Sequence, residues 1–339
     1  MAKKKRAKGR PRSPARDIAE QVCREMPDVG SLTIGKRLRA EYSAHFSSVE
    51  SARSMVRLIR GNMGNAKRRL ATQPQPNTAA GVAPKLPPSQ ADSWKRFDID
   101  GPARILSLSD CHIPYHSTEA IEAAVKFGQG FGPSVVLLNG DWCDFYNVSR
   151  WQKDPSKRSF VDELEQCERS FEWLRSKFPQ ARILLKYGNH EDRYDAFILQ
   201  RAPEFWGVQN IRLEQILHLD EYGIEAVSDK RIIQAGGLAI LHGHECPIST
   251  GLNQARSAFL RLGGASLTGH GHKSSTYSEP DVWRRETISV SQGCLSELTP
   301  SFARINRWNH GFATVEVDAK GKSHQLNNYR ITSGEVRQA

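Results

Sequence analysis

The sequence predicts an α/β domain preceded by a small all-α unit. Three observations carry that reading. Over 97–335, short apolar runs of strand length alternate with longer stretches whose apolar residues recur at helical spacing. Over 15–70 only the helical spacing is present. Between the two, 71–96 holds Pro74, Pro76, Pro84, Pro87 and Pro88 among Gln, Ala, Ser and Asn, with almost no periodic apolar pattern, and reads as a linker. A chain of 339 residues has room for one sizeable domain and a small accessory one.

Residues 1–14 form a basic tail, Lys3-Lys4-Lys5-Arg6 followed by Lys8-Gly9-Arg10-Pro11-Arg12, too polar to fold alone. Its Gly-Arg-Pro core resembles an AT-hook, which lays arginines in a narrow minor groove. A tail that touches phosphates without reading sequence has the same composition, so Lys8, Arg10 and Arg12 are candidate DNA contacts on either reading. A first helix is expected where Ile18, Val22 and Met26 recur, ended by Pro27 and Gly30, and a second over Leu32 to Tyr42. A third is opened by Ser47 and Glu50 as a capping box, carries the stripe Ala52, Met55, Val56 and Ile59, and is closed by Gly61. Arg53, Arg57 and Arg60 fall on another face of it. Three short helices with a basic last one resemble a helix-turn-helix unit, which makes these arginines candidate DNA contacts; plain solubility charges would look the same.

In the α/β domain, strands are expected at 104–109, 134–138, 182–186, 238–241, 265–268, 286–291, 312–317 and 323–330, and amphipathic helices at 117–130, 160–177 and 251–262. Hydrophobic content of 38% and charged content of 25% are ordinary for a globular protein. No apolar run is long enough to span a bilayer, and no apolar core follows the basic N-terminus as a secretory signal would require. The chain is therefore expected in the cytoplasm, with no membrane partner. None of its 6 cysteines forms a C-x-x-C pair, which argues against a zinc ribbon or a redox motif and for reduced thiols.

The net charge of +11 is unevenly placed. Residues 1–70 hold 18 basic and 6 acidic residues, a surplus of 12, whereas the remainder holds 30 basic and 31 acidic. A basic arm on a neutral body points to a polyanionic partner, here nucleic acid and specifically DNA.

The chemistry lies at the ends of the strands. Five apolar runs each end in Asp, Asn or His: Asp110-Cys111-His112, Gly140-Asp141, Gly188-Asn189-His190, His242-Gly243-His244 and Gly269-His270-Gly271-His272. Ligands of open α/β sheets gather at the carboxyl ends of strands, so folding would bring these clusters to one rim. Their donors suit divalent cations such as Mn²⁺, Fe²⁺, Zn²⁺ or Ni²⁺, and the glycines permit tight turns and close backbone approach.

The series D-x-H, G-D, G-N-H-E, H and G-H-x-H resembles the signature of the calcineurin-like metallophosphoesterases. The resemblance implies a four-layer α/β/β/α sandwich and two divalent metal ions, with Mn²⁺ as the expected metal. It implies that Asp110, His112 and His272 bind the first ion, that Asn189, His242 and His270 bind the second, and that Asp141 bridges them. His190 is then not a ligand but stabilises the transition state or protonates the leaving oxygen. Such a metal pair, about 3.5–4 Å apart, activates a water as nucleophile and neutralises the phosphoryl oxygens. Asp144 either orients a ligand or caps the surface; Arg193 and His244 are further candidates beside the motifs.

The metal core alone does not select the ester. Phosphoprotein phosphatases of this family place phosphate-gripping arginines where this chain has Phe145 and Tyr187, although Arg193 could replace one of them. Trp142, Phe145, Tyr146 and Trp151 follow the second motif and either stack bases or fill the core. The leading expectation is a DNA nuclease or phosphodiesterase served by the basic arm. The alternative is a phosphomonoesterase acting on phosphoproteins or small molecules, with the arm used only for location. A DNA-binding protein with a structural metal site fits less well, because the non-ligand His190 is also in place. The layout is similar to that of metallophosphoesterases encoded by phages and prophages, which would put the protein in the host cytoplasm.

Overall fold

A computed structural model describes residues 13–61, 86–151, 154, 159–246, 252–280 and 282–339. The chain divides into two compact units, Met1–Gln90 and Ala91–Ala339. The tail residues Lys8, Arg10 and Arg12, and most of the proline-rich segment, lie outside the described residues.

In the first unit, α1 (Pro14–Glu25), α2 (Ser31–Glu41) and α3 (Val49–Ile59) enclose a core that includes Val22, Ile34, Leu38, Ala52, Val56 and Ile59. Two expectations need correcting. The cap of α3 is Ser48 rather than Ser47, and its side chain accepts from Ser51 N at 3.1 Å. Glu50, one position too early to close a capping box on Ser48, lies 3.4 Å from Arg53 instead. Helix α1 ends at Glu25 with Met26 as its cap, just before Pro27 as expected, because a residue preceding proline is biased away from helical backbone. Arg60 is not a free surface cation. Its guanidinium donates to the carbonyls of Met26 (2.7 Å), Pro27 (3.0 Å) and Val29, and so ties the end of α3 to the turn after α1.

The second unit is a four-layer sandwich. A seven-stranded sheet takes the order β13-β12-β11-β2-β3-β4-β5, and a six-stranded sheet the order β1-β6-β7-β8-β10-β9. In chain order the strands are β1 (Phe97–Ile99), β2 (Ala103–Leu108), β3 (Val135–Asn139), β4 (Arg182–Lys186), β5 (Ile224–Val227), β6 (Ile233–Ala235), β7 (Leu238–Ile240), β8 (Ser266–Thr268), β9 (Ser275–Pro280), β10 (Glu286–Ser291), β11 (His310–Val317), β12 (His324–Thr332) and β13 (Glu335–Gln338). Helices α4 (Thr118–Phe131) and α5 (Phe160–Lys177) cover the outer face of the first sheet. Helix α6 (Glu191–Arg201) follows β4, and α7 (Gln254–Leu262) packs on β8, β9 and β10 of the second sheet.

Strand alternation explains the layers. Ile105, Val135, Leu137 and Leu184 face the second sheet and meet Ile233, Leu238, Ile240, Leu267 and Val290. Their neighbours Leu106, Val136, Leu138, Ile183 and Leu185 face the helices and meet Ala124, Phe171 and Leu174. Both faces of β2, β3 and β4 are thus dry, which is why these parallel strands read as unbroken apolar runs. No described helix is long and apolar enough to cross a membrane.

Candidate metal centre

The turns that follow β2, β3 and β4 of one sheet and β7 and β8 of the other carry all five polar clusters. Five of the residues expected to bind metal have a left-handed backbone: Asp110 (φ 55°), His112 (52°), Asp141 (53°), His270 (63°) and His272 (54°). Non-glycine residues rarely adopt this conformation, and such residues concentrate at functional sites. Glycines supply the remaining room. A Cβ on Gly188 would collide with Asp141 Oδ1, and one on Gly140 with the His242 ring.

Two groups of donors result. In the first, His272 Nε2 lies 3.1 Å from Asp110 Oδ1 and 3.2 Å from His112 Nε2. In the second, His242 Nε2 lies 3.2 Å from Asp141 Oδ2, with His270 alongside. Asp141 Oδ2 is also 3.9 Å from His112 Nε2, so this carboxylate stands between the groups. The structure thus brings Asp110, His112 and His272 together, and His242 and His270 together, with Asp141 between them.

The residues fit divalent cations. The far nitrogens of two rings are engaged: His112 Nδ1 is 3.0 Å from Asp144 Oδ1, and His242 Nδ1 donates to Asn139 O at 2.8 Å. This leaves both Nε2 atoms for the site, the arrangement found around ligating histidines. Asn189 Oδ1 is buried with no hydrogen-bond partner among the described residues. Burial opposes charge on His242 and His272, but Asp141 and Asp110 respectively outweigh it and raise both imidazoles to about 10. Burial likewise opposes the Asp141 carboxylate, yet His190 and His242 hold its pKa well below the usual range. Burial and neighbouring imidazoles lower His112 and His270 instead, and it is the donor set, two carboxylates among four imidazoles, that suits metal ions.

His190 adjoins both donor groups and, with His112 and Asp144, forms a third set of potential donors; its ring lies 4.3 Å from that of His112. Its N–H donates to Asp141 Oδ1 at 2.9 Å, its Nδ1 lies 2.8 Å from Asp144 O, and its Nε2 accepts from Arg193 Nη2 at 2.7 Å. Arg193 also reaches Asp144 O at 3.0 Å. Asp144 is no surface cap, since its carboxylate lies between the rings of His112 and His190. His244 is held by Asp192 at 2.9 Å, with its ring 5.4 Å from that of His242.

Three supporting residues were missed. The buried carboxylate of Glu191 accepts from the N–H groups of Asp141 (2.9 Å), Cys143 (3.1 Å) and Gly188 (2.8 Å), joining the second and third motifs. Lys186, fully buried at the end of β4, meets Glu245 at 2.6 Å, and Glu245 accepts from His242 N and Gly243 N. Glu191 has a signal in the sequence, its place in G-N-H-E; Lys186 shows only as a charge ending an apolar run. All 6 cysteines are free, and all but Cys246 are buried.

The aromatic residues divide. Trp142 and Phe145 are buried in the core, as is Tyr187, so the positions of the missing phosphate-gripping arginines do not face the site. Tyr146 lines a cleft of about 380 Å³ that opens beside His112 and His272. Trp151 is exposed and lines a second cleft of about 520 Å³ beside Asn189 and His244, together with Arg150, Arg193 and Arg201.

Residues 103–288, more than half of the chain, match the family model for calcineurin-like phosphoesterases, and the chain belongs to that family. It is accordingly a metal-dependent phosphoesterase, a hydrolase that uses divalent metal ions. In sequence it is similar to the Gene 54 protein of Mycobacterium phage L5, 26% identical over 240 residues that span 66% of this chain and 92% of that protein. The Gene 54 protein of Mycobacterium phage D29 is 24% identical over 238 residues, with the same coverage of 66% and 92%. Among solved structures it is similar to Vacuolar Protein Sorting 29 from Cryptosporidium parvum, with 16% identity, a TM-score of 0.40, and coverage of 70% of this chain and 95% of that one. It is also similar to a dimetal phosphatase from Danio rerio, with 12% identity, a TM-score of 0.32, and coverage of 67% and 99%.

Proposed function

We propose that the protein is a phosphodiesterase acting on DNA, a nuclease. In this reading Asp110, His112 and His272 hold one divalent ion, Asn189, His242 and His270 hold another, and Asp141 is shared. When bound, such a pair supplies an activated water and charge neutralisation on the phosphoryl group. The chain's own residues do the rest. Asp144 and the Asn139 carbonyl fix the rings of His112 and His242. His190 stands beside Asp141 with its Nε2 held by Arg193, and the two together would stabilise the charge of the transition state. Mn²⁺ suits the mixed oxygen and imidazole donors.

The observation that carries this reading is that two clefts adjoin the site. One, beside His112 and His272, is lined by aromatic residues; the other, beside Asn189 and His244, holds Arg150, Arg193 and Arg201. A monoester has one substituent to house, whereas a diester in a polynucleotide has two, and further phosphates follow. An arginine-lined cleft suits those phosphates. The basic N-terminal residues would add sequence-independent affinity for DNA.

The test is incubation of the full-length protein with Mn²⁺ and end-labelled single- and double-stranded DNA, with Asp141→Asn as control. Degradation that the variant lacks is the expected result, and the ladder gives the polarity. Intact DNA, alongside variant-sensitive hydrolysis of p-nitrophenyl phosphate, would instead leave a phosphomonoesterase carried to its target by a basic arm.

A further inference from the structure

We propose that the cleft beside His112 and His272 is a nucleobase subsite with Trp308 as its stacking platform. The inference rests on the phosphodiesterase reading and names the substituent that the cleft accepts.

The cleft has about 380 Å³, room for one flat group of drug-like size, and its floor includes His112 and His272 of the first donor group. A group that fills it therefore lies against the first donor group. Tyr115, Tyr146, Phe302 and Trp308 line it, among polar residues that include Glu297 and Arg304. The Trp308 ring lies 4.2 Å from that of His272, and the Phe302 ring lies 6.1 Å from Trp308 at 60°. Phe302 is 82% exposed, so folding does not use it. The exposed Phe302 ring and the half-buried Trp308 ring beside His272 together suit a base, because every base has a π-face and stacking needs no sequence readout.

The platform is also fixed in place. Trp308 N donates to Asn306 Oδ1 at 2.8 Å, and Asn306 Nδ2 donates to the carbonyls of Leu298 (2.6 Å) and Ala303 (2.7 Å). The next residue, Asn309, donates its N–H to His272 O at 3.0 Å and accepts from Ser274 N at 2.8 Å. The loop between β10 and β11 thus holds Trp308 in register with the fifth motif. A pre-ordered aromatic ring loses little entropy when a base stacks on it.

The test compares two diesters with the same leaving group, thymidine 5′-(p-nitrophenyl phosphate) and methyl p-nitrophenyl phosphate, hydrolysed by the full-length protein with Mn²⁺. The expected result is a KM lower by about 5- to 150-fold for the nucleoside ester, the range that one base stack gives. Trp308→Ala should bring the KM ratio of the two esters towards one, and Trp308→Phe should restore part of it. Phe302→Ala, at an exposed position, should lower the ratio without any question of misfolding. A wild-type ratio near one, or a Trp308→Ala variant that weakens both esters equally, would overturn the subsite. Hydrolysis of p-nitrophenyl phosphate with neither diester touched would overturn the phosphodiesterase reading itself, and the subsite with it.

Discussion

Five residues at positive φ in one site, Asp110, His112, Asp141, His270 and His272, are individually costly, at about 1–3 kcal/mol each. Neighbouring turns hold them there. Asp110 N donates to Gly140 O at 3.1 Å, His112 N to Asp141 O at 3.0 Å, and His270 N to both oxygens of Asp110. Asp144 belongs to the same scheme, because its carboxylate serves His112 and His190 at once. Both rings approach the same oxygen, Oδ1, so an asparagine there keeps the acceptor but removes the negative charge that orients them. Asp144→Asn should weaken metal affinity or activity by about 10- to 100-fold while leaving the melting temperature nearly unchanged. Activity titrated against Mn²⁺ checks this, and an unchanged midpoint and maximum would remove Asp144 from the site. Asp144 was legible in the sequence only as an acidic residue near Asp141, and Glu191 only as a letter of a motif. A buried carboxylate whose partners are backbone N–H groups, as at Asp141, Cys143 and Gly188, leaves no second residue type to recognise.

At the scale of elements, the legible strands are the ones buried on both faces or ending in ligands. Residues 182–186 and 286–291, and the helix 160–177, fall where the apolar pattern places them. The pattern gives no account of β1 and β6, each three residues long, or of β9, a largely exposed edge strand of sequence STYSEP. Helix α6 was equally silent, because only Glu191 and Tyr194 of its eleven residues are buried and no apolar stripe forms. The sandwich itself followed from the motif series rather than from the periodicity, since the register between two sheets is a tertiary property. The Lys186–Glu245 pair joins those sheets, with Lys186 closing β4 and Glu245 holding the turn after β7. The side chains of both are buried, at 0% and 5% exposure, and Lys186 holds the Glu245 carboxyl down at about 2 against the upward pull of burial. Lys186→Met leaves that carboxylate without its cation, and breaking a buried pair from one side costs about 3–5 kcal/mol. Denaturant unfolding should register that loss, and the double variant Lys186→Met/Glu245→Gln should recover part of it. A single variant as stable as the wild type would mean the pair carries no structural role.

At the scale of the whole molecule, the charge is divided along the same line as the fold. The surplus of 12 basic residues lies in 1–70, and the remaining residues are nearly balanced, with 30 basic and 31 acidic; the compact units meet in sequence at Gln90. Of the helical arginines that the sequence offers for DNA, Arg60 is committed to backbone carbonyls and Arg53 is near Glu50, whereas Arg57 is exposed. The electrostatic share of DNA affinity should therefore come from the basic N-terminal residues, and the chemistry from residues after 90. If the arm makes roughly six phosphate contacts, log K for DNA should fall against log salt with a slope of about −5. A variant lacking residues 1–90 should show a much shallower slope and weaker binding, yet hydrolyse a small chromogenic ester at the full-length rate. Fluorescence anisotropy across a salt series, paired with the ester assay on the same preparations, measures both. A truncated chain that kept the steep slope would move the DNA contacts onto the arginine-lined cleft of Arg150, Arg193 and Arg201. One that lost ester turnover would mean that the two units depend on each other for the active fold.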